Sequence, residues 1–88
     1  MPPWKPDLYV MSRFLETLYL RHATLKKTTL QMAVRLNYDV FTKYLTWLED
    51  KQLLTVTEQD GHHLVMITPK GIEVYQTIVT WIKKTIGP

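Results

Sequence analysis

The period of the apolar residues changes twice along this chain, and that pattern restricts its fold more than any other feature. Leu8, Met11, Leu15 and Leu18 recur at spacings of three and four, the repeat of an amphipathic helix. Between Leu53 and Ile67 the repeat shortens: Leu54 and Val56 alternate with Thr55 and Thr57, a turn falls at Asp60 and Gly61, and a second run extends from His63 to Ile67. After Thr68 and Pro69 the helical spacing returns. A β-hairpin between helical segments is therefore expected, an α+β plan that is mainly α.

The helices have local start signals. The first is expected from Asp7 to about His22, and Val10, Phe14, Tyr19 and Leu20 widen its apolar arc beyond one stripe. After a short basic connection, Thr28 or Thr29 is placed to cap a second, shorter helix carrying Leu30, Ala33, Val34 and Leu36. Asn37 is a suitable N-cap for a third helix to about Lys51, because its side-chain oxygen can accept a free first-turn N–H. At about 100° per residue, Val40, Phe41, Tyr44, Leu45, Trp47 and Leu48 fill one arc, with Asp39, Thr42, Lys43 and Thr46 opposite. Thr68 caps and Pro69 opens a last helix to about Ile86. Residues 1–6, with Pro2, Pro3 and Pro6, read as an extended arm, and 7–88 as a single domain.

With 88 residues there is room for one core, and the absence of Cys excludes disulfides and thiolate zinc sites, so apolar packing must supply the stability. No run approaches the ~18 apolar residues of a membrane span, and the Pro-rich start lacks a signal-peptide pattern. A soluble, cytoplasmic protein is expected. An enzyme is not: there is no Cys, the one Ser, Ser12, lies inside a helix, and no Gly-rich phosphate loop occurs. His62 and His63 with Asp60 do not complete a metal site, since neighbouring strand residues point to opposite faces. No cofactor is implied.

The net charge of +3 is unevenly spread. Residues 21–46 carry Arg21, Lys26, Lys27, Arg35 and Lys43 against Asp39 alone, whereas residues 47–62 carry Glu49, Asp50, Glu58 and Asp60 against Lys51. The middle of the chain is its basic part. Two carboxylates at the hairpin tip weigh against a contact between that tip and phosphate.

The order of three helices, a two-stranded wing and a C-terminal helix is that of a winged helix-turn-helix domain. Lys27-Thr28, Leu36-Asn37-Tyr38 at the turn, Lys43-Tyr44-Leu45 and Leu48 on the third helix, and Leu53-Leu54 leading into the wing resemble the small archaeal winged helix-turn-helix family. The resemblance covers about residues 8–82. Thr68, Lys70 and Gly71, a Thr-x-Lys-Gly motif, occur more widely among winged-helix regulators. Thr29 stands where these proteins can carry Arg, and Gln52 where Gly often precedes the two apolar residues. The resemblance implies a double-stranded-DNA-binding, chromatin-associated or transcription-regulating protein, with the third helix in the major groove and dimerisation through the last helix.

On that footing the candidate contacts are Tyr38, Asp39, Thr42, Lys43 and Thr46 on the third helix, with Lys43 pairing phosphate and the threonines approaching base edges. Asp39 stabilises the helix dipole, and its only direct reading role is to accept from cytosine N4. Lys26, Lys27 and Thr28 stand where the second helix begins and can grip a phosphate there, and Arg35 lies near the turn. The plain alternative for each is a solvated side chain. A different class of function is a winged-helix protein-interaction module, in which Trp47, Tyr44 and the last helix meet another protein.

The last helix has surplus apolar surface. Ile72, Tyr75, Val79, Ile82 and Ile86 follow heptad spacing, and Val74, Ile78 and Trp81 form a second row beside them. One row is expected to pack on its own domain, leaving the other for a homodimer interface drawn from Ile72, Tyr75, Ile78, Val79, Trp81, Ile82 and Ile86.

Overall fold

The computed structural model describes residues 4–21 and 24–87. Its elements are α1 (Leu8–Leu20), β1 (Thr24–Lys26), α2 (Lys27–Val34), α3 (Tyr38–Asp50), β2 (Leu54–Gln59), β3 (His62–Ile67) and α4 (Pro69–Thr85).

The start signals act as expected in three helices. The Asp7 carboxylate accepts from the N–H groups of Tyr9 and Val10, Asn37 accepts from Val40, and the Thr68 hydroxyl accepts from Gly71. The second helix differs. Neither Thr28 nor Thr29 caps it; it begins at Lys27 with Lys26 in the cap position and no side-chain cap. The reason lies upstream, where Thr24–Lys26 forms a strand that delivers an extended backbone directly into the helix. The α1 helix ends at Leu20, and His22 lies outside the described residues.

The short strand β1 makes the sheet three-stranded and antiparallel, in the order β1-β3-β2. Leu25 pairs with Val65 on one side of β3, and Val56 pairs with Val65 on the other. The β2–β3 connection is the two residues Asp60 and Gly61, both with positive φ (51° and 76°), a turn whose twist matches the flanking strands.

The core joins all three leading helices to the sheet. Phe14, Leu15 and Leu18 of α1, Leu30 and Val34 of α2, Phe41 and Leu48 of α3, and Leu54 and Val65 of the sheet are fully buried. Phe14 stacks on both Phe41 (5.4 Å between ring centroids) and Tyr44 (5.8 Å), tying α1 to α3. Each such side chain contributes about 1.5–3 kcal/mol through burial.

Polar contacts then fix the elements relative to one another. Arg13 Nη1 donates to the Val34 carbonyl (2.8 Å), satisfying the end of α2, and Glu49 Oε2 accepts from the Val56 N–H (3.1 Å), joining α3 to the wing. Thr68 Oγ1 donates to the Gln52 carbonyl (2.7 Å) while its N–H donates to that of Leu53 (3.1 Å). The base of the wing and the start of α4 are thereby held together.

Candidate nucleic-acid interface

With Asn37 capping its first turn and Phe41, Tyr44, Leu45 and Leu48 buried, α3 has one orientation available to it. Its opposite side is open. Asp39, Lys43 and Thr46 are exposed there, as the sequence pattern implies. Thr42 departs from that expectation: it is half-buried, and its hydroxyl oxygen is shielded without a hydrogen-bond partner. In this rotamer its hydroxyl does not face outward.

The two flanks of this face are marked by aromatic rings. Tyr38 and Trp47 lie nine residues apart, which at about 100° per residue sends them to opposite sides of the helix. Lys27 Nζ stands 5.7 Å over the Tyr38 ring, and Lys51 Nζ stands 6.0 Å over that of Trp47. Asp39 in the first turn complements the α3 dipole.

Lys26, Lys27 and Thr28 adjoin the wing turn, lining with Gly61, His62 and His63 a notch of about 170 Å³. Sequence spacing could not show this juxtaposition, because β1 draws the start of α2 onto β3. Arg35 is elsewhere. It closes α2 in the left-handed conformation (φ 57°) and lines a cleft between α1 and α2 with Arg13 and Arg21, so it does not join the Lys26–Lys27 group.

Tyr44 and Trp47, considered as a protein-docking pair, are occupied within the chain. Trp4 packs edge-on against both, at 5.0 Å and 6.5 Å between centroids, and the Tyr44 hydroxyl accepts from the Asp7 N–H (2.7 Å). Tyr44 is buried, which removes it from any partner surface. Nothing in the periodicity of the sequence identifies Trp4 as a neighbour of α3.

The apolar surface of α4 divides along its length, not between its two rows. Ile72, Val74, Tyr75 and Ile78, drawn from both rows, pack against the core; Val79 and Ile82 are half-buried; Trp81 (54% exposed) and Ile86 (61%) are open. Of the whole helix only Gly71 is fully covered. Tyr75 meets Tyr19 of α1 (5.2 Å), and burial pushes its hydroxyl above the ordinary tyrosine range, assisted by the Glu16 carboxylate and Tyr19. Leu8 joins Ile78 and Trp81 around an apolar groove of about 250 Å³. Among the described residues no helix is long and apolar enough to cross a membrane, and no three His, Cys, Asp or Glu side chains gather as metal ligands would.

Known structures of the same plan are similar to this one. F93 from STIV, a winged-helix DNA-binding protein, superposes with a TM-score of 0.81 at 19% identity, covering 93% of this chain and 96% of that one. Sso10a-2, a DNA-binding protein from Sulfolobus solfataricus, gives 0.77 at 23% identity, with coverage of 90% and 80%. The PcaV transcriptional regulator from Streptomyces coelicolor gives 0.76 at 22% identity, over 85% of this chain and 57% of that longer one. At such identities the likeness is one of fold. No curated protein matches the chain by sequence. The family model described as winged helix-turn-helix matches residues 8–85, from the first residue of α1 to the last of α4, and the chain belongs to that family.

Proposed function

We propose that this protein binds double-stranded DNA, as a transcriptional regulator or an architectural protein, with α3 in the major groove. The observation that carries this reading is the open face of α3, where Asp39, Lys43 and Thr46 are uncovered on a helix whose other side is locked into the core. A helix of about 10–12 Å across suits a groove about 12 Å wide. In this reading Lys43 pairs a phosphate, Thr46 approaches base edges, Thr42 does so on rotation of its hydroxyl, and Asp39 accepts from cytosine N4. Tyr38 borders the groove, and Lys26, Lys27 and Thr28 hold a phosphate where α2 begins. Arg35, facing its own cleft, stands outside this contact. That F93 and Sso10a-2 are DNA-binding proteins and PcaV a transcriptional regulator supports the reading.

The role is binding without catalysis, in the cytoplasm, with an archaeal setting favoured by the sequence resemblance. The protein acts as a homodimer in this reading: a second copy would cover Trp81 and Ile86, which one chain leaves open, and would set two α3 helices about one duplex turn apart. Titration of duplex DNA at several salt concentrations tests the central point. Phosphate contacts release counterions, so affinity should fall steeply as salt rises. Absence of binding at low salt would remove the DNA reading.

A further inference from the structure

We infer that the N-terminal arm belongs to the nucleic-acid interface, where Trp4, Lys5 and Lys51 form a second phosphate-contacting rim along the flank of α3 opposite Lys27. The inference rests on the DNA-binding reading and extends it to one named surface. Trp4 is held by Tyr44 and Trp47, and the backbone of Asp7 is held by the Tyr44 hydroxyl, so the segment between them is fastened beside α3 at both ends. The indole remains 41% exposed, and that free part lines a groove of about 470 Å³ with Lys43, Thr46, Trp47 and Asp50. The arm and the open face of α3 therefore share one continuous surface. A ligand seated in this groove meets Lys43, Thr46 and Trp4 together.

Charge gives this surface its occupant. Along the open face of α3, Asp39 and Asp50 outnumber Lys43, so the centre is mildly acidic. The cations stand at the edges: Lys27 over Tyr38 on one flank and Lys51 over Trp47 on the other, while exposed Lys5 follows Trp4 in the segment fastened along that second side. A major groove has the complementary layout, with phosphates along both rims and the amino groups of cytosine and adenine among the base edges on its floor. Carboxylates accept from those amino groups, whereas lysines belong at the phosphates. Contact through one rim alone would leave the acidic centre without balance on the other strand.

The test compares the salt dependence of duplex DNA binding for the full chain and for Lys5→Ala, Lys51→Ala and Trp4→Ala, each first checked for an unaltered far-ultraviolet circular dichroism spectrum. Each lysine contact should account for a slope of about 0.9 in log affinity against log salt, so its removal shrinks the loss between about 50 and 200 mM salt by roughly 3.5-fold. Trp4→Ala should release the arm and lower the slope as Lys5→Ala does, with no further loss when the two are combined. Slopes unchanged by Lys5→Ala and Lys51→Ala, in a protein whose binding weakens on Lys27→Ala, would overturn the second rim and leave DNA binding standing. If Trp4→Ala proves unfolded, the two lysine variants, which leave the aromatic packing intact, decide the matter alone. A wild-type chain without affinity for duplex DNA would overturn the functional reading, and this inference with it.

Discussion

The carbonyl oxygen of Leu53 lies against Gly71, in the space that a β-carbon at Gly71 would fill. Leu53 begins the wing and Gly71 sits in the first turn of α4, so this approach lets the Thr68 side chain and N–H reach the Gln52 and Leu53 carbonyls. The glycine of the Thr-x-Lys-Gly motif thus has a steric cause, and the threonine a hydrogen-bonding one.

Gly71→Ala should therefore be destabilising even though alanine favours helices. Ile67 also crowds the site, so the added methyl group forces the start of α4 away from the wing. Overpacking of this kind costs about 1–3 kcal/mol, and in a domain of this size each kcal/mol lowers the melting midpoint by roughly 4–8 °C. Thermal melting followed by circular dichroism measures it. An unchanged midpoint would show that the contact yields without cost.

Gln52 has the opposite fault. Its φ is 63°, a left-handed conformation that penalises any residue with a β-carbon, and its exposed position leaves the side chain no core packing to lose. Gln52→Gly should gain roughly 0.5–1 kcal/mol after the greater chain entropy of glycine is subtracted. Denaturant unfolding with an unchanged slope and a higher midpoint is the expected result; a lower midpoint would refute the account of strain.

Much of the architecture is legible because its signals are local. Asn37 and Thr68 each satisfy an N–H within three residues, and Asp60 and Gly61 supply two consecutive positive φ angles. The periods of α1 and α3 likewise reflect one face packed against one core, whereas that of α4 does so only over its first half. What escapes is set by pairings distant in sequence. A strand of three residues with one apolar side chain, Leu25, has too short an alternation to register, yet β3 recruits it, and the adjoining threonines lose the capping role their chemistry suggests. Trp4 and Tyr44 are forty residues apart, so no spacing rule brings them together. Arg35 looks like a member of the basic group in sequence, but the eight residues of α2 carry it to the other end of that helix.

Lys43→Glu should weaken duplex DNA binding sharply while leaving the fold intact. Lys43 is exposed in the middle of the open α3 face and has no place in the core. The substitution removes one phosphate partner and adds a repelling charge beside Asp39 and Asp50, so an affinity loss of at least about tenfold is expected at low salt, near 1.4 kcal/mol. Electrophoretic mobility shift or fluorescence anisotropy measures it. Undiminished affinity in the folded variant would remove α3 as the contacting element.

Alkaline stability should depend on Tyr75. Burial raises its folded-state pKa above the unfolded value, with the Glu16 carboxylate acting in the same direction, so the neutral hydroxyl is the form that the fold favours. A raised folded pKa contributes stability that is fully present below the unfolded tyrosine pKa of about 10 and is lost as pH rises through the folded value. Tyr75→Phe removes that ionisation. As pH rises above about 10 the variant should lose less stability than the wild type, and parallel curves there would contradict the assignment.

The exposed end of α4 favours self-association. A helix whose apolar residues are drawn into the core at Ile72, Val74, Tyr75 and Ile78, yet left open at Trp81 and Ile86, has packed only its first half. Leu8 extends that open area across the start of α1, where its exposed side chain and that of Trp81 line one groove with Ile78. Exposed apolar surface of this kind on a small domain favours association, and a two-fold contact lets each copy cover the same residues of the other. Sedimentation equilibrium at micromolar concentration should accordingly give twice the 10.4 kDa chain mass. Trp81→Asp should return the protein to a monomer with little loss of protomer stability, because that side chain already faces solvent in the single chain. A wild-type monomer whose mass does not respond to Trp81→Asp would refute the dimer and leave the α3 face to bind DNA as one copy.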